Sequence, residues 1–103
     1  MEKILVTGGT GCVGSAIKEL VKTNIDYEWI FVSSSDCDLT DRKQTLKLFE
    51  KINPKYVIHL AAHVTGMYAN MVGHISIFRN NIRINENVLE ACHLHNIQKG
   101  IFC

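Results

Sequence analysis

Four glycines, at positions 8, 9, 11 and 14, crowd into the stretch LVTGGTGCVGSAI at residues 5–17. Ahead of them KILVT is a β-branched apolar run, and behind them Val13, Ile17, Leu20 and Val21 recur at helical spacing. The pattern is strand, tight turn, helix. Gly8, Gly11 and Gly14 form G-x-x-G-x-x-G, in which residues without Cβ let the chain turn sharply and let a pyrophosphate approach the backbone. Gly14 then allows helix and strand to pack closely. At the helix start, around Cys12 and Val13, free N–H groups and the positive end of the helix dipole favour a diphosphate. A glycine-rich turn with no ligand is the alternative reading of the same residues. Gly9 and Gly14 also frame G-x-x-x-x-G, but the next residue is Ser15 where a P-loop needs lysine. Nucleoside triphosphate hydrolysis is therefore not expected.

Three more segments continue the alternation. WIFVS at 29–33 reads as a second strand, and RKQTLKLFEKI at 42–52 as a helix with Leu46, Phe49 and Ile52 on one side. Thr40 or Asp41 can cap that helix, and Pro54 stops it. KYVIHLAA at 55–62 is nearly continuous in apolar residues, as in a strand covered on both faces of a parallel sheet. The spacing then predicts a loop over 65–74 and a long helix over 75–97, with Ile75, Phe78, Ile82, Leu89 and Cys92 as its apolar stripe and Ile77, Ile84 and Val88 widening it. KGIFC at 99–103 begins a fourth strand. Right-handed crossovers wind this βαβαβαβ order into an α/β, doubly wound parallel sheet of Rossmann type, about four strands with helices on both faces and incomplete as it stands. The 103 residues are one domain.

Eleven Lys and Arg against ten Asp and Glu leave a charge of +1, which encodes no general pull toward nucleic acid or membrane. No apolar run approaches the roughly 20 residues that span a bilayer. Cys12, Cys37, Cys92 and Cys103 include no C-x-x-C pair and no leader sequence is visible, so a reducing, cytoplasmic setting is expected. Cys92, His93 and His95 are read as a helix end facing water rather than a metal site.

Cofactor preference is read at the end of the second strand, where a carboxylate would hold the ribose 2′-OH of NAD. Ser33, Ser34 and Ser35 stand there, hydroxyls that accept a 2′-phosphate, and so NADP is favoured, with Asp36 close by. Asp38 suits either the adenine amino group, with Leu39 against the ring, or a turn leading to the cap at Asp41. Ala61 and Ala62 end the third strand with small residues, which lets the backbone there approach a cofactor. His59 reads as a packing histidine and His63 as the one nearer a cleft.

Together, VTGGTGCVGSAI, WIFVSSSDCDLTD, FEKINPKYVIHLAA and NNIRINENVLEAC resemble the extended branch of the short-chain dehydrogenase/reductases. Within that branch, VSSSDCDLTD and HLAAHVTGMYAN are similar to the GDP-L-fucose synthase family, whose members epimerise and reduce GDP-4-keto-6-deoxy-mannose with NADPH. The resemblance implies that Gly8, Thr10, Gly11, Cys12, Val13 and Gly14 line the pyrophosphate. It implies that Asp38 and Leu39 lie near adenine and Ala61 and Ala62 near the ribose, and that Asn81 braces the active-site strand. Asn81 and Asn85 are equally a helix-face amide pair four residues apart. A nucleotide sugar is the implied substrate, and a homodimer through the long helix the implied assembly.

The branch reduces carbonyls with a Tyr-x-x-x-Lys pair and a serine. Tyr27, Tyr56 and Tyr68 are followed four positions on by Phe31, Leu60 and Val72. These residues accordingly resemble the cofactor half alone, the N-terminal part of such an enzyme without its substrate domain, and no catalytic residue is assigned. Taken by itself the chain is expected to bind cofactor weakly and to catalyse nothing. A different epimerase or dehydratase of the same branch, or a non-catalytic dinucleotide-binding module, fits the same motifs.

Overall fold

The computed structural model describes residues 1–61 and 67–102, with side chains described outside 67–74. Its strands are β1 (Lys3–Thr7), β2 (Glu28–Val32), β3 (Tyr56–His59) and β4 (Lys99–Phe102), and its helices α1 (Cys12–Leu20), α2 (Arg42–Ile52) and α3 (Met67–Leu94). All pairings are parallel, in the order β2-β1-β3-β4. The chain leaves β1 for β2 on one side, returns past β1 to β3 on the other, and continues outward to β4. This reversal opens a crevice at the carboxyl end of β1, the position where open α/β sheets take ligands.

Side chains alternate along the strands, so Leu5, Val32 and Val57 point to one face. There they meet Phe49 and Ile52 from α2 and Ile84, Val88 and Ala91 from α3. The opposite face carries α1, whose Lys18 Nζ stands 5.9 Å from the centroid of the Phe31 ring. Helices thus lie on both faces of a sheet whose central strand is buried from Ile4 to Thr7.

Local chemistry sets the helix ends. Asp41, not Thr40, caps α2 by accepting from the amides of Lys43 and Gln44, and these bonds hold its carboxyl below the usual carboxylate range. Asn53 closes the helix in the left-handed region at φ 51°, directly before Pro54. At the end of α3, Asn96 has φ 53°, its N–H donates to His93 O, and the Ile97 N–H donates to Cys92 O. That pair of bonds is a Schellman motif, and Ile97 and Cys92 pack together against the core.

Two expectations for the long helix need correction. It begins at Met67 rather than 75, and ends at Leu94 rather than 97. Asn70 and Gly73 look like loop residues, yet an isolated glycine costs a helix only about 1 kcal/mol. The chain's single proline is far away at 54, so nothing breaks the backbone here. The single apolar stripe also divides in two. Ile84, Val88 and Ala91 face the core, whereas Ile75, Phe78, Ile82 and Leu89 are exposed on the outside. Two hydrogen bonds from the Arg42 guanidinium to the Glu90 carboxylate, at 2.6 and 3.3 Å, tie α2 to α3 across the surface. Among the described residues no helix is long and apolar enough to cross a membrane.

Phe49, which has no solvent exposure, is the centre of this core. Phe49→Ala is expected to lower the unfolding free energy by about 3–5 kcal/mol. Leu20→Ala, on the exposed side of α1, is expected to change it by less than about 0.5 kcal/mol. Urea denaturation followed by circular dichroism measures both, and equal effects would contradict the core assignment.

Candidate functional site

The turn after β1 is built by backbone contacts that exclude side chains. Gly8 has φ +70°, and a Cβ there would lie 2.9 Å from the Ala61 nitrogen and the Leu60 carbonyl carbon. A Cβ on Gly14 would collide with the Gly8 carbonyl oxygen and lie 2.7 Å from the Gly9 Cα. Gly9 is equally constrained, since a Cβ there would come within 2.7 Å of the Phe31 Cβ, and its N–H donates to Val32 O at 2.9 Å. Reading the sequence as G-x-x-G-x-x-G passes over Gly9, because nothing in the pattern says that the turn rests on β2.

Gly11 is different. A Cβ there would find its nearest neighbour, the Gly8 carbonyl oxygen, 3.4 Å away, an ordinary contact, and the φ of −74° suits any residue. The chain itself therefore does not require glycine there, whereas a molecule approaching the turn from outside would. Gly11 is the N-cap of α1 and supplies no side-chain cap. Thr10, Gly11, Cys12 and Val13 are exposed, so the first-turn amides and the positive helix end face solvent instead of neighbouring side chains.

A cleft of about 680 Å³ opens over this turn, a usual size for a small-molecule site. Gly8, Thr10, Gly11, Cys12, Val13, Gly14, Asp38, Leu39 and Ala61 all line it. Ala62, His63, Thr65, Gly66 and Cys103 lie outside the described residues. Val32, Cys37, Thr40, Leu60 and Ile84 line it as well. The last of these comes from the inner face of α3, which helical spacing marks as apolar without saying what it meets.

At the far end, Ser33 and Ser34 line the cleft. Asp36 is folded back, with one carboxylate oxygen accepting from the Ser33 amide at 2.8 Å and its hydroxyl at 3.1 Å. The Ser33 and Ser35 hydroxyls are 2.7 Å apart. Asp38 holds a turn, accepting from the Thr40 amide at 3.0 Å and hydroxyl at 2.6 Å, while still forming part of the cleft wall. Cys37 is buried beneath it, and burial together with Asp38, Asp41 and Asp36 raises its thiol above the ordinary range. Such a thiol is an inert wall rather than a nucleophile.

Next to Leu60 and Ala61 runs a polar chain that is buried at Thr7 and His59 and reaches the surface at Asn85. Thr7 Oγ1 lies 2.6 Å from His59 Nδ1 and accepts from the amides of Leu60 at 3.1 Å and Ala61 at 3.2 Å. His59 Nε2 lies 2.9 Å from Asn85 Oδ1 on α3. His59 is fully buried, in agreement with its reading as a packing histidine. Asn87 also reaches across from α3, donating to Leu39 O at 2.9 Å. Asn81 is on α3, half-buried. Among the described residues no group of His, Cys, Asp or Glu is arranged to hold a metal.

Exposed uncapped amides, a helix dipole, a small-residue floor and a hydroxyl-lined far end can bind an extended anion bearing phosphates. The chain is similar to known proteins over nearly all its length. A GDP-L-fucose synthase of Dictyostelium discoideum is 48% identical over 97% of this chain and 32% of its own length. A probable GDP-L-fucose synthase of Drosophila melanogaster is 44% identical over the whole chain and 33% of its own. The crystal structure of a GDP-L-fucose synthetase from Naegleria fowleri bound to NADP superposes with a TM-score of 0.90 at 43% identity, over 99% of this chain and 33% of that one. The chain thus spans about a third of the length of these relatives. The profile of the NAD dependent epimerase/dehydratase family matches residues 4–103, and with the turn, the sheet order and the cleft in agreement, the chain belongs to that family.

Proposed function

We propose that these residues are the N-terminal, cofactor-binding part of a GDP-L-fucose synthase. Such an enzyme converts GDP-4-keto-6-deoxy-D-mannose to GDP-L-fucose by epimerisation and NADPH-dependent reduction, in the cytoplasm. Residues 1–103 form part of a Rossmann-type domain that holds NADP, and the nucleotide sugar binds to other parts of the protein. The observation that carries this reading is the solvent-facing first turn of α1 beside Gly11, the one glycine of the turn whose own chain leaves it room for a side chain.

Each part of the chain has a task in this reading. The first-turn amides at Cys12 and Val13 hold the diphosphate, assisted by the helix dipole. Ser33 and Ser34 meet the 2′-phosphate, with the Asp36 carboxylate held on the Ser33 amide. Asp38 and Leu39 border the adenine, and Ala61 and Ala62 the ribose. Bound there, NADPH supplies a hydride. The residues described contribute binding and orientation, and the proton donor to the carbonyl comes from outside them, since no tyrosine here has a lysine four positions on.

The outer stripe of α3, with Ile75, Phe78, Ile82 and Leu89 all exposed, supports a homodimer through that helix. Large apolar side chains in one line on a helix are stable in water when a second helix covers them.

Two measurements test the proposal. NADPH fluorescence is expected to change on titration with the protein, and Gly11→Val to weaken binding at least about tenfold with a thermal midpoint near that of the unaltered chain, because the new side chain meets ligand and not protein. Gly14→Val is expected instead to unfold the turn. Equal NADPH affinity in the Gly11 variant would refute the diphosphate assignment. By sedimentation velocity, Phe78→Asp is expected to convert a dimer to a monomer, and an unchanged sedimentation coefficient would remove α3 from the interface.

A further inference from the structure

Thr7 and His59 are fully buried and Asn85 is exposed at the end of their chain of hydrogen bonds, and the bonds around the Thr7 hydroxyl set where its hydrogen points. The Thr7 hydroxyl has two lone pairs and one hydrogen. Both lone pairs are taken by the Leu60 and Ala61 amides, the former shared with the Thr7 carbonyl. The single hydrogen therefore points to His59 Nδ1, 2.6 Å away, which must be unprotonated to accept it. His59 then carries its proton on Nε2 and donates it to Asn85 Oδ1 at 2.9 Å. A proton on Nδ1 would face a hydroxyl that has no lone pair left to receive it.

We propose that His59 is a positioning residue for the cofactor cleft, acting as a neutral Nε2–H imidazole whose Nδ1 accepts the hydrogen bond of the Thr7 hydroxyl and so dedicates the Thr7 oxygen to the amides of Leu60 and Ala61. Those amides are the wall against which Gly8 turns, with 2.9 Å between the Ala61 nitrogen and the place where a Gly8 Cβ would sit. Leu60, Ala61 and Gly8 all line the cleft. The imidazole thus sets the distance between the end of β3 and the phosphate turn. Asn85 extends the same chain of bonds to α3, which joins that helix to both strand exits.

The surroundings suit a neutral ring. His59 is packed between Thr7 of β1, Asn85 of α3 and the Phe102 ring of β4, centroid 5.2 Å away, and none of these is charged. Burial pushes its imidazole below the ordinary histidine range, against the smaller opposing effect of Asn85. Because the folded value is depressed, the neutral form persists as pH falls past about 6.5, where an unfolded histidine takes up its proton.

The inference rests on the cleft being the dinucleotide site, and its test separates the two. Long-range ¹H–¹⁵N correlation spectra of the protein are expected to show His59 as the Nε2–H tautomer, titrating below about 6.5. In His59→Asn the amide oxygen replaces Nδ1 and can still accept the hydrogen bond of the Thr7 hydroxyl. In His59→Gln the side chain reaches Asn85 but leaves Thr7 without an acceptor. NADPH affinity is expected to stay within about threefold for the first and to fall about tenfold or more for the second. An Nδ1–H tautomer, or equal affinities in the two variants, overturns the assignment. Absence of NADPH binding by the unaltered protein strikes at the site and not at His59, whose tautomer the spectra decide even where a variant does not fold.

Discussion

Contact between bare backbones at the end of β1 governs this molecule. Gly14 presses on Gly8 and Gly9, Gly8 on the exit of β3, and Gly9 on β2. Three neighbouring elements converge within van der Waals distance at a place where no side chain fits. The cost is conformational, since glycine gives up more freedom on folding than any other residue. What offsets it is burial of the central strand, where Leu5 and Val6 have no exposure and helices cover both faces. The first turn of α1 is thereby aimed outward, and the crevice at the sheet's reversal point acquires a floor of small residues.

Much of this was legible in the residues themselves. KILVT is β1 to the residue, RKQTLKLFEKI is α2 to the residue, and the nearly unbroken apolar run at 55–62 pointed to a parallel sheet, which the pairings of β3 bear out. The strand-turn-helix setting of the glycines falls at a cleft, which Gly8, Gly11 and Gly14 line together with Asp38, Leu39 and Ala61. Local pattern suffices there because backbone geometry determines both the fold and the site.

Where interactions are long-range, pattern was silent. The spacing suggested a loop over 65–74, yet the backbone is helix from Met67 onward. Helical periodicity could not separate the inner from the outer apolar positions of α3, because each set recurs at threes and fours. Sequence marked Gly9 as part of a rejected motif, whereas its role depends on Phe31, more than twenty positions away. His59 was correctly a packing residue, but its partnership with Thr7 and Asn85 joins three elements that sequence alone does not bring together.

The turn at the end of β2 is held mainly by its own residues. Its hydrogen bonds run among its own members, Ser33, Ser35 and Asp36 with the Cys37 amide, while the seam to the glycine turn is a main-chain bond from Gly9 to Val32. Identity at 33–36 is therefore nearly decoupled from the architecture that supports it. Exchange of one small hydroxyl or acidic group for another at that rim leaves strand register and helix entry without a lost main-chain bond.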